Sequence, residues 1–135
     1  MAYGVSYLTA LGLFLFADMI WLETMASRLY RPTLGDILLQ QVSLAPAIAF
    51  YLLYPIGLVI FAILPAMKSG NLMTALLLGV LFGLFTYGTY DLTNQATVRN
   101  WTTGLTLIDM AWGGLLGGLT AASTCWIMGK LGFQF

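Results

Sequence analysis

Residues 104–128 have the sequence GLTLIDMAWGGLLGGLTAASTCWIM, a long apolar stretch with a single charged residue, Asp109. A helix of about 20 apolar residues is long enough to cross the hydrocarbon core of a bilayer. Similar stretches occur at residues 3–22, 43–64 and 72–92, and short connections separate them. The sequence therefore predicts an all-α integral membrane four-helix bundle, a single transmembrane domain that covers residues 1–135.

The composition excludes several classes of function. The chain is 60% hydrophobic and 7% charged, whereas soluble domains contain about 25% charged residues. Five basic and five acidic residues cancel, so no basic face exists for nucleic acid. With no His and one Cys, the chain lacks the residues for His-based catalysis and for zinc, haem or iron–sulfur sites. We expect no cofactor and no metal, since no DxxD-like run supports an all-carboxylate Mg²⁺ site.

Small residues recur at four-residue spacing in the third and fourth spans. Gly79 and Gly83 form one pair, and the motif Gly113-Gly114 is repeated at Gly117-Gly118. Such stripes let helix backbones approach closely in lipid, where van der Waals contact holds helices together. We therefore expect the third and fourth helices to pack tightly, either within one chain or between copies.

The second span contains Pro46 and Pro55, which predict a kinked helix. The freed carbonyls would then be satisfied by neighbouring helices or water, and a hinge or a carbonyl-lined pocket is the alternative to a simple kink. Gly35-Asp36 has the pattern of a helix start, so we expect this helix to begin near Ile37. Its connection to the third span is predicted at residues 65–71.

Alternation of four spans brings scattered polar residues to one side of the membrane. The first and third connections then share that side. The only charged side chains on the other side are those of Lys68 and Lys130. We define the predicted polar cluster as Asp18, Trp21, Tyr87, Asp91, Asn94, Arg99, Asn100, Asp109 and Trp112. Because three Arg face two Lys across the membrane, the positive-inside rule favours a cytoplasmic cluster and two external termini.

A short motif, Asp-x-x-Trp, occurs twice within this cluster. The first span contains Asp18-Met19-Ile20-Trp21 and the fourth contains Asp109-Met110-Ala111-Trp112. Residues three apart share a helix face. Because the two helices run in opposite directions, any symmetry between them is of the inverted kind.

The cluster has two interpretations. Arg99 is placed to fold back onto Asp91 or Asp109, and a satisfied network could lock the helix ends, with Trp21 and Trp112 in an aromatic belt. Alternatively, three aspartates against one arginine leave an excess of acid that exchanges a proton or holds a cation. The main functional hypothesis is a non-catalytic binding or accessory component for a lipid, an amphiphile or a larger membrane complex. The alternatives are a homo-oligomeric transporter or proton-coupled permease and, second, a lipid-modifying enzyme.

The stretch Tyr90-Asp91-Leu92-Thr93-Asn94 is followed by Arg99-Asn100-Trp101 and then by Asp109 with Ala111-Trp112-Gly113. This pattern resembles the small bacterial membrane proteins grouped as domain of unknown function 2177, and Asp18 with Trp21 extends the resemblance to the whole chain. The resemblance implies a four-helix protein of the bacterial inner membrane, and it brings no activity, cofactor or catalytic residue with it. The chain departs from the pattern at Gln95 and Thr102-Thr103.

Overall fold

The computed structural model describes residues 1–39 and 41–133. Four long helices make up the bundle: α1 (Ala2–Ile37), α2 (Leu44–Ser69), α3 (Leu72–Thr97) and α4 (Thr103–Lys130). Each is long and apolar enough to cross a membrane, and the described residues include no strand. The predicted all-helical fold with four spans is confirmed.

Helix α1 extends further than predicted. An α-helix over Ala2–Met25 continues through a π turn and a short α turn into a 3₁₀ turn at Gly35–Ile37. The prediction that Gly35-Asp36 starts the second helix is wrong, because Gly35 has a φ of +56° and ends the preceding α turn. Glycine adopts this conformation without steric cost. Helix α2 starts instead at Leu44, after Ser43 in an extended conformation.

Each of the first two helices contains a π turn just before a proline. The turn Ala26–Tyr30 precedes Pro32 in α1, and the turn Val59–Ile63 precedes Pro65 in α2. In both, the backbone N–H of the residue before the proline bonds to the carbonyl five residues back. Proline lacks an N–H and clashes with the carbonyl four residues back. The wider turn accommodates these constraints without ending the helix.

The other prolines of α2 lie in different positions. Pro46 is in the first turn of the helix, where the backbone N–H groups have no intrahelical partner to lose. Pro55 is in the helix interior, and the kink expected there stays a prediction. The helix continues to Ser69 and reverses at Gly70, which has a φ of +70°. Asn71 then caps α3 by accepting the N–H of Met73 at 2.9 Å, so the connection is shorter than predicted.

Helices α3 and α4 meet along four glycines, which we call the glycine seam: Gly79, Gly83, Gly113 and Gly117. A Cβ added to Gly83 would lie 2.0 Å from the carbonyl oxygen of Gly113. One added to Gly117 would lie 2.3 Å from the carbonyl oxygen of Gly79. The two backbones are therefore in direct contact, so the predicted tight packing is confirmed and lies within one chain.

Helix α4 is the most central of the four. In its most apolar stretch 56% of the residues are buried, against 22–33% in the other helices. Helix α1 packs against α4 and α2, and the π turn of α2 packs against α3. An aromatic core joins α1 to α2, where Phe14 stacks on Tyr54 with ring centroids 4.5 Å apart. This arrangement places α4 next to the polar residues of each other helix.

Candidate functional site: a buried aspartate cluster

We use the name aspartate cluster for Asp18, Asp91 and Asp109 together with Trp21, Tyr30, Tyr51 and Trp112. Asp18 is buried in α1, with 6% of its surface exposed. The hydroxyl of Tyr51 in α2 donates to its Oδ2 at 2.6 Å. The indole N–H of Trp112 in α4 donates to its Oδ1 at 3.2 Å. One carboxyl group thus joins three helices, and both of its oxygens accept a hydrogen bond.

The two Asp-x-x-Trp stretches are brought together by their tryptophans. The rings of Trp21 and Trp112 stack with centroids 4.5 Å apart and planes 4° from parallel. Trp112 donates to Asp18 of the other stretch. Trp21 donates to the hydroxyl of Tyr30 at 2.8 Å, and Tyr30 donates to Asp109. Each tryptophan is therefore linked to the aspartate of the other stretch, one directly and one through a tyrosine. The repeated motif thus makes corresponding contacts in the structure.

Tyr30 owes its position to the π turn of α1. It is the last residue of the turn Ala26–Tyr30, which widens the helix ahead of Pro32. The extra residue in such a turn changes the direction in which the following side chains project, and π turns are frequent at functional sites. Local backbone geometry thus directs a tyrosine from the end of α1 onto Asp109 of α4.

Asp91 has the least usual environment in the cluster. Asp91 is 0% exposed, and among the described residues no N–H or hydroxyl donates to either of its carboxyl oxygens. Its carboxyl group instead lies close to the carboxyl group of Asp109. We call Asp91 and Asp109 the carboxyl pair. Their contact joins α3 to α4 beyond the end of the glycine seam.

Arg99 is not part of this arrangement. It is exposed, and the structure shows no ion pair between Arg99 and either member of the carboxyl pair in the described part of the chain. The predicted pairing is therefore not formed. Helix α3 ends before Arg99, and Asn100 turns the chain with a φ of +69°. The Asn100 side chain donates to the carbonyl of Leu34 at 3.4 Å, so it ties this connection to the end of α1.

The remaining members of the predicted cluster have packing or backbone roles. Tyr87 is half-buried, packs against the backbone of Gly113 and meets the ring of Tyr54 edge-on at 6.2 Å. Asn94 is half-buried in the last turn of α3, where its backbone carbonyl accepts the N–H of Val98 at 2.7 Å. Neither side chain has a hydrogen bond to an aspartate among the interactions that the structure shows.

Sequence reasoning missed the two tyrosines that donate to the aspartates, Tyr30 and Tyr51. A usable signal exists, because a tyrosine in an apolar span needs a hydrogen-bond partner for its hydroxyl. This signal applies to Tyr51, which lies in the predicted span 43–64, whereas Tyr30 lies in the connection predicted after the first span. The identity of each partner depended on helix rotation, which a single sequence does not give.

Residues 3–126 match the family described as predicted membrane protein (DUF2177). The chain belongs to this family. This confirms the resemblance seen in the sequence. Searches among curated proteins and among solved structures gave no match.

In this DUF2177 member, Gln95 and the pair Thr102-Thr103 form hydrogen bonds around the start of α4. Gln95 donates to the hydroxyl of Thr103 at 2.8 Å, and Thr102 caps the helix by accepting the N–H of Leu105 at 3.0 Å. Nearby, Trp101 donates to the hydroxyl of Thr106 at 3.1 Å. These bonds fix the connection between α3 and α4, the two helices that supply the carboxyl pair.

The aspartates do not form a metal-binding set. In residues 1–39 and 41–133, no three Asp, Glu, Cys or His side chains are grouped closely enough to hold an ion. Asp18 accepts hydrogen bonds from Tyr51 and Trp112, and its link to the carboxyl pair runs through the tryptophan stack and Tyr30. The capacity to accept a further hydrogen bond is thus concentrated at Asp91.

Proposed function

We propose that this membrane protein is a non-catalytic binding component, and that its carboxyl pair accepts the ammonium group of a membrane-soluble amphiphile. One observation carries the proposal. Asp91 is 0% exposed, yet no donor among the described residues bonds to its carboxyl group, and the group close to it is another carboxyl, that of Asp109.

The physical argument starts from the cost of this arrangement. A buried polar group without a donor is destabilised by about 1–3 kcal/mol, and more when it is charged. Ionisable residues within membrane spans therefore find partners and often mark functional sites. Two carboxyl groups in contact are stabilised by a proton shared between them or by a cation that both bind. A primary ammonium has three N–H donors, so it would satisfy both groups.

The rest of the cluster supports a ligand at this pair rather than elsewhere. Both oxygens of Asp18 already accept hydrogen bonds, and Tyr30 satisfies one oxygen of Asp109. Asp91 lies six residues before the end of α3, a depth of about 9 Å along the helix axis. That depth suits an amphiphile whose charged group lies just below the membrane surface while its chain stays among the lipids.

Binding of a defined probe tests the proposal. Dodecylammonium would be titrated against the protein in phosphatidylcholine nanodiscs by calorimetry, with a neutral dodecyl glycoside as the ligand control. We expect Asp91→Asn to weaken ammonium binding at least tenfold while thermal stability stays the same or rises, because the new amide donates to Asp109. Asp36→Asn is the matched control, since Asp36 is an exposed aspartate outside the cluster.

Two results would contradict this function. One is equal binding by the wild-type protein and Asp91→Asn. The other is a large loss of thermal stability in Asp91→Asn with ammonium binding unchanged, which would identify the cluster as a structural lock.

A second candidate is a proton-coupled permease that works as a homo-oligomer. The contact between carboxyl groups from α3 and α4 favours it, because such a pair binds and releases a proton when the helices move relative to each other. Proteoliposomes with an internal pH-sensitive dye would show proton flux that is lost in Asp91→Asn and kept in Asp36→Asn. Absence of flux in the wild-type protein would remove this candidate.

We place the protein in the bacterial plasma membrane, with the carboxyl-pair side toward the cytoplasm and both termini outside. The orientation is supported by the count of basic residues, because the carboxyl-pair side has three Arg and the opposite side has two Lys. A cysteine at position 99, in a Cys125→Ala background, would then react with a membrane-impermeant reagent only after the cells are opened.

A further inference from the structure

A concave site lies at the end of the bundle that carries Lys130. A cavity of about 450 Å³ opens between the α2–α3 connection and the last turns of α4. Its walls combine apolar groups with one charged side chain, and they include Ala66, Met67, Gly70, Trp126, Gly129 and Lys130. Cavities of this size fall within the range that small-molecule ligands occupy. None of these residues belongs to the polar cluster.

The charge of this end of the bundle is one-sided. Its charged side chains are Lys68 and Lys130, whereas the five acidic residues lie in the other half of the spans or in the connections there. The ammonium of Lys130 lies 5.6 Å from the ring centroid of Trp126. Tryptophan and lysine are typical of the membrane interface, where the ring anchors the helix and the ammonium reaches the headgroups. The cavity therefore presents a cation at headgroup depth without a competing carboxylate side chain.

We propose that this cavity binds the phosphate headgroup of an anionic phospholipid. Lys130 would bind the phosphate, and the walls formed by Met67 and Trp126 would contact the glycerol and the upper acyl chains. The start of α3 adds a weaker positive potential, since Leu72 at its first turn also lines the cavity. The proposal is independent of the function proposed for the carboxyl pair, because it uses other residues at the opposite end of the bundle.

The chain contains a matched control for simple charge attraction. Lys68 lies at the same end of the bundle in the last turn of α2, but it does not line the cavity. A diffuse attraction between basic residues and anionic lipid would depend on both lysines to a similar degree. A built site would depend on Lys130 and on the space beside it.

The space itself can be removed without a predicted clash. A Cβ added to Gly129 meets no atom within 4 Å, and Gly129 lies on the cavity wall. Gly129→Leu should therefore fold, project into the cavity and leave the charge of Lys130 in place. This variant separates loss of volume from loss of charge.

Native mass spectrometry of lipid retention tests the proposal. The protein would be extracted from phosphatidylcholine bilayers that contain phosphatidylglycerol, and the retained lipids would be counted for each variant. We expect one phosphatidylglycerol on the wild-type protein, about fivefold less on Lys130→Gln, and almost none on Gly129→Leu. Lys68→Gln and Asp91→Asn should retain it at the wild-type level, so this result and that for the carboxyl pair can fail separately.

Three outcomes would overturn the proposal. They are equal losses in Lys130→Gln and Lys68→Gln, equal retention of phosphatidylcholine and phosphatidylglycerol, and full retention of phosphatidylglycerol in Gly129→Leu. Addition of inorganic phosphate distinguishes a lipid from a free anion. Phosphate at millimolar concentration should not displace the lipid, and complete displacement would identify a phosphate site instead of a phospholipid site.

Discussion

The glycine seam and the aspartate cluster both hold helices together, but by opposite means. In the seam, side chains are absent and the backbones of α3 and α4 touch at Gly83 and Gly113. In the cluster, long polar side chains such as Tyr51 and Trp112 reach across wider gaps to a shared carboxyl group. The seam sets the distance between two helices, whereas the cluster relates the rotations of all four.

This difference follows from what lipid allows. Without a hydrophobic force between helices, close van der Waals contact has to hold them, and it requires small residues on both surfaces. A hydrogen bond between side chains is directional, so it selects one rotation of each helix among several that pack equally well. The two regions should therefore respond differently to substitution: the seam to volume, the cluster to the loss of a donor.

The largest effect is expected at the centre of the seam. In Gly83→Leu the new Cβ would lie 2.0 Å from the carbonyl oxygen of Gly113, so α3 and α4 would have to separate. We expect a loss of more than about 3 kcal/mol in the free energy of unfolding, at the upper end of overpacking effects. Thermal unfolding in a mild detergent would measure it.

Gly12→Leu is the control for this change. A Cβ at Gly12 in α1 meets nothing within 4 Å, so the same gain in volume should cost little. Similar melting temperatures for the two variants would show that the close approach of α3 and α4 does not stabilise the bundle.

A smaller loss is expected when one donor is removed from the cluster. Tyr51→Phe leaves the Oδ2 of Asp18 without the hydroxyl that lies 2.6 Å away, and we expect a loss of about 1–2 kcal/mol. Tyr7 offers a matched comparison, because it also joins α1 to α2 but donates to the backbone carbonyl of Leu52 at 2.9 Å. Chemical unfolding should show a loss below about 0.5 kcal/mol for Tyr7→Phe. Equal losses would mean that the carboxyl group has no special demand for a donor.

The sequence predicts the seam better than the cluster for a physical reason. The spacing of Gly79 and Gly83 encodes a smooth helix face directly, and that face needs only another smooth face as its partner. Helix count and direction also suffice to place Asp18, Asp91 and Asp109 at one end of the bundle. Each of these inferences requires only the position of a residue along its helix.

The donors of the cluster require more than position. Tyr51 meets Asp18 because α2 is rotated toward α1, and that rotation comes from packing over the whole span. Arg99 was expected to pair with an aspartate because of charge alone, but Asn100 turns the connection toward α1. The sequence is also ambiguous at Gly35, since a glycine before an acidic residue is compatible with both a helix start and a helix end. Its positive φ makes it an end.

The last predicted change concerns the π turn that ends at Tyr30. Pro32→Ala restores a backbone N–H that can bond four residues back, so the π turn Ala26–Tyr30 should relax into an α-helix and move Tyr30 away from Asp109. The net change in stability should be below about 1 kcal/mol, because a regular helical bond replaces a side-chain bond. The sharper measurement is a double-mutant cycle. Tyr30→Phe should be destabilising by about 1 kcal/mol in the wild-type protein and should have almost no effect in Pro32→Ala.

Pro65→Ala is the control background for this cycle. It should relax the other π turn, Val59–Ile63, which carries no residue of the cluster, so Tyr30→Phe should keep its full effect there. If Tyr30→Phe has the same effect in all three backgrounds, the hydroxyl reaches Asp109 without the help of the π turn. If the effect of Tyr30→Phe disappears only in the Pro32→Ala background, a single proline selects the helical geometry that brings the end of α1 to the carboxyl pair.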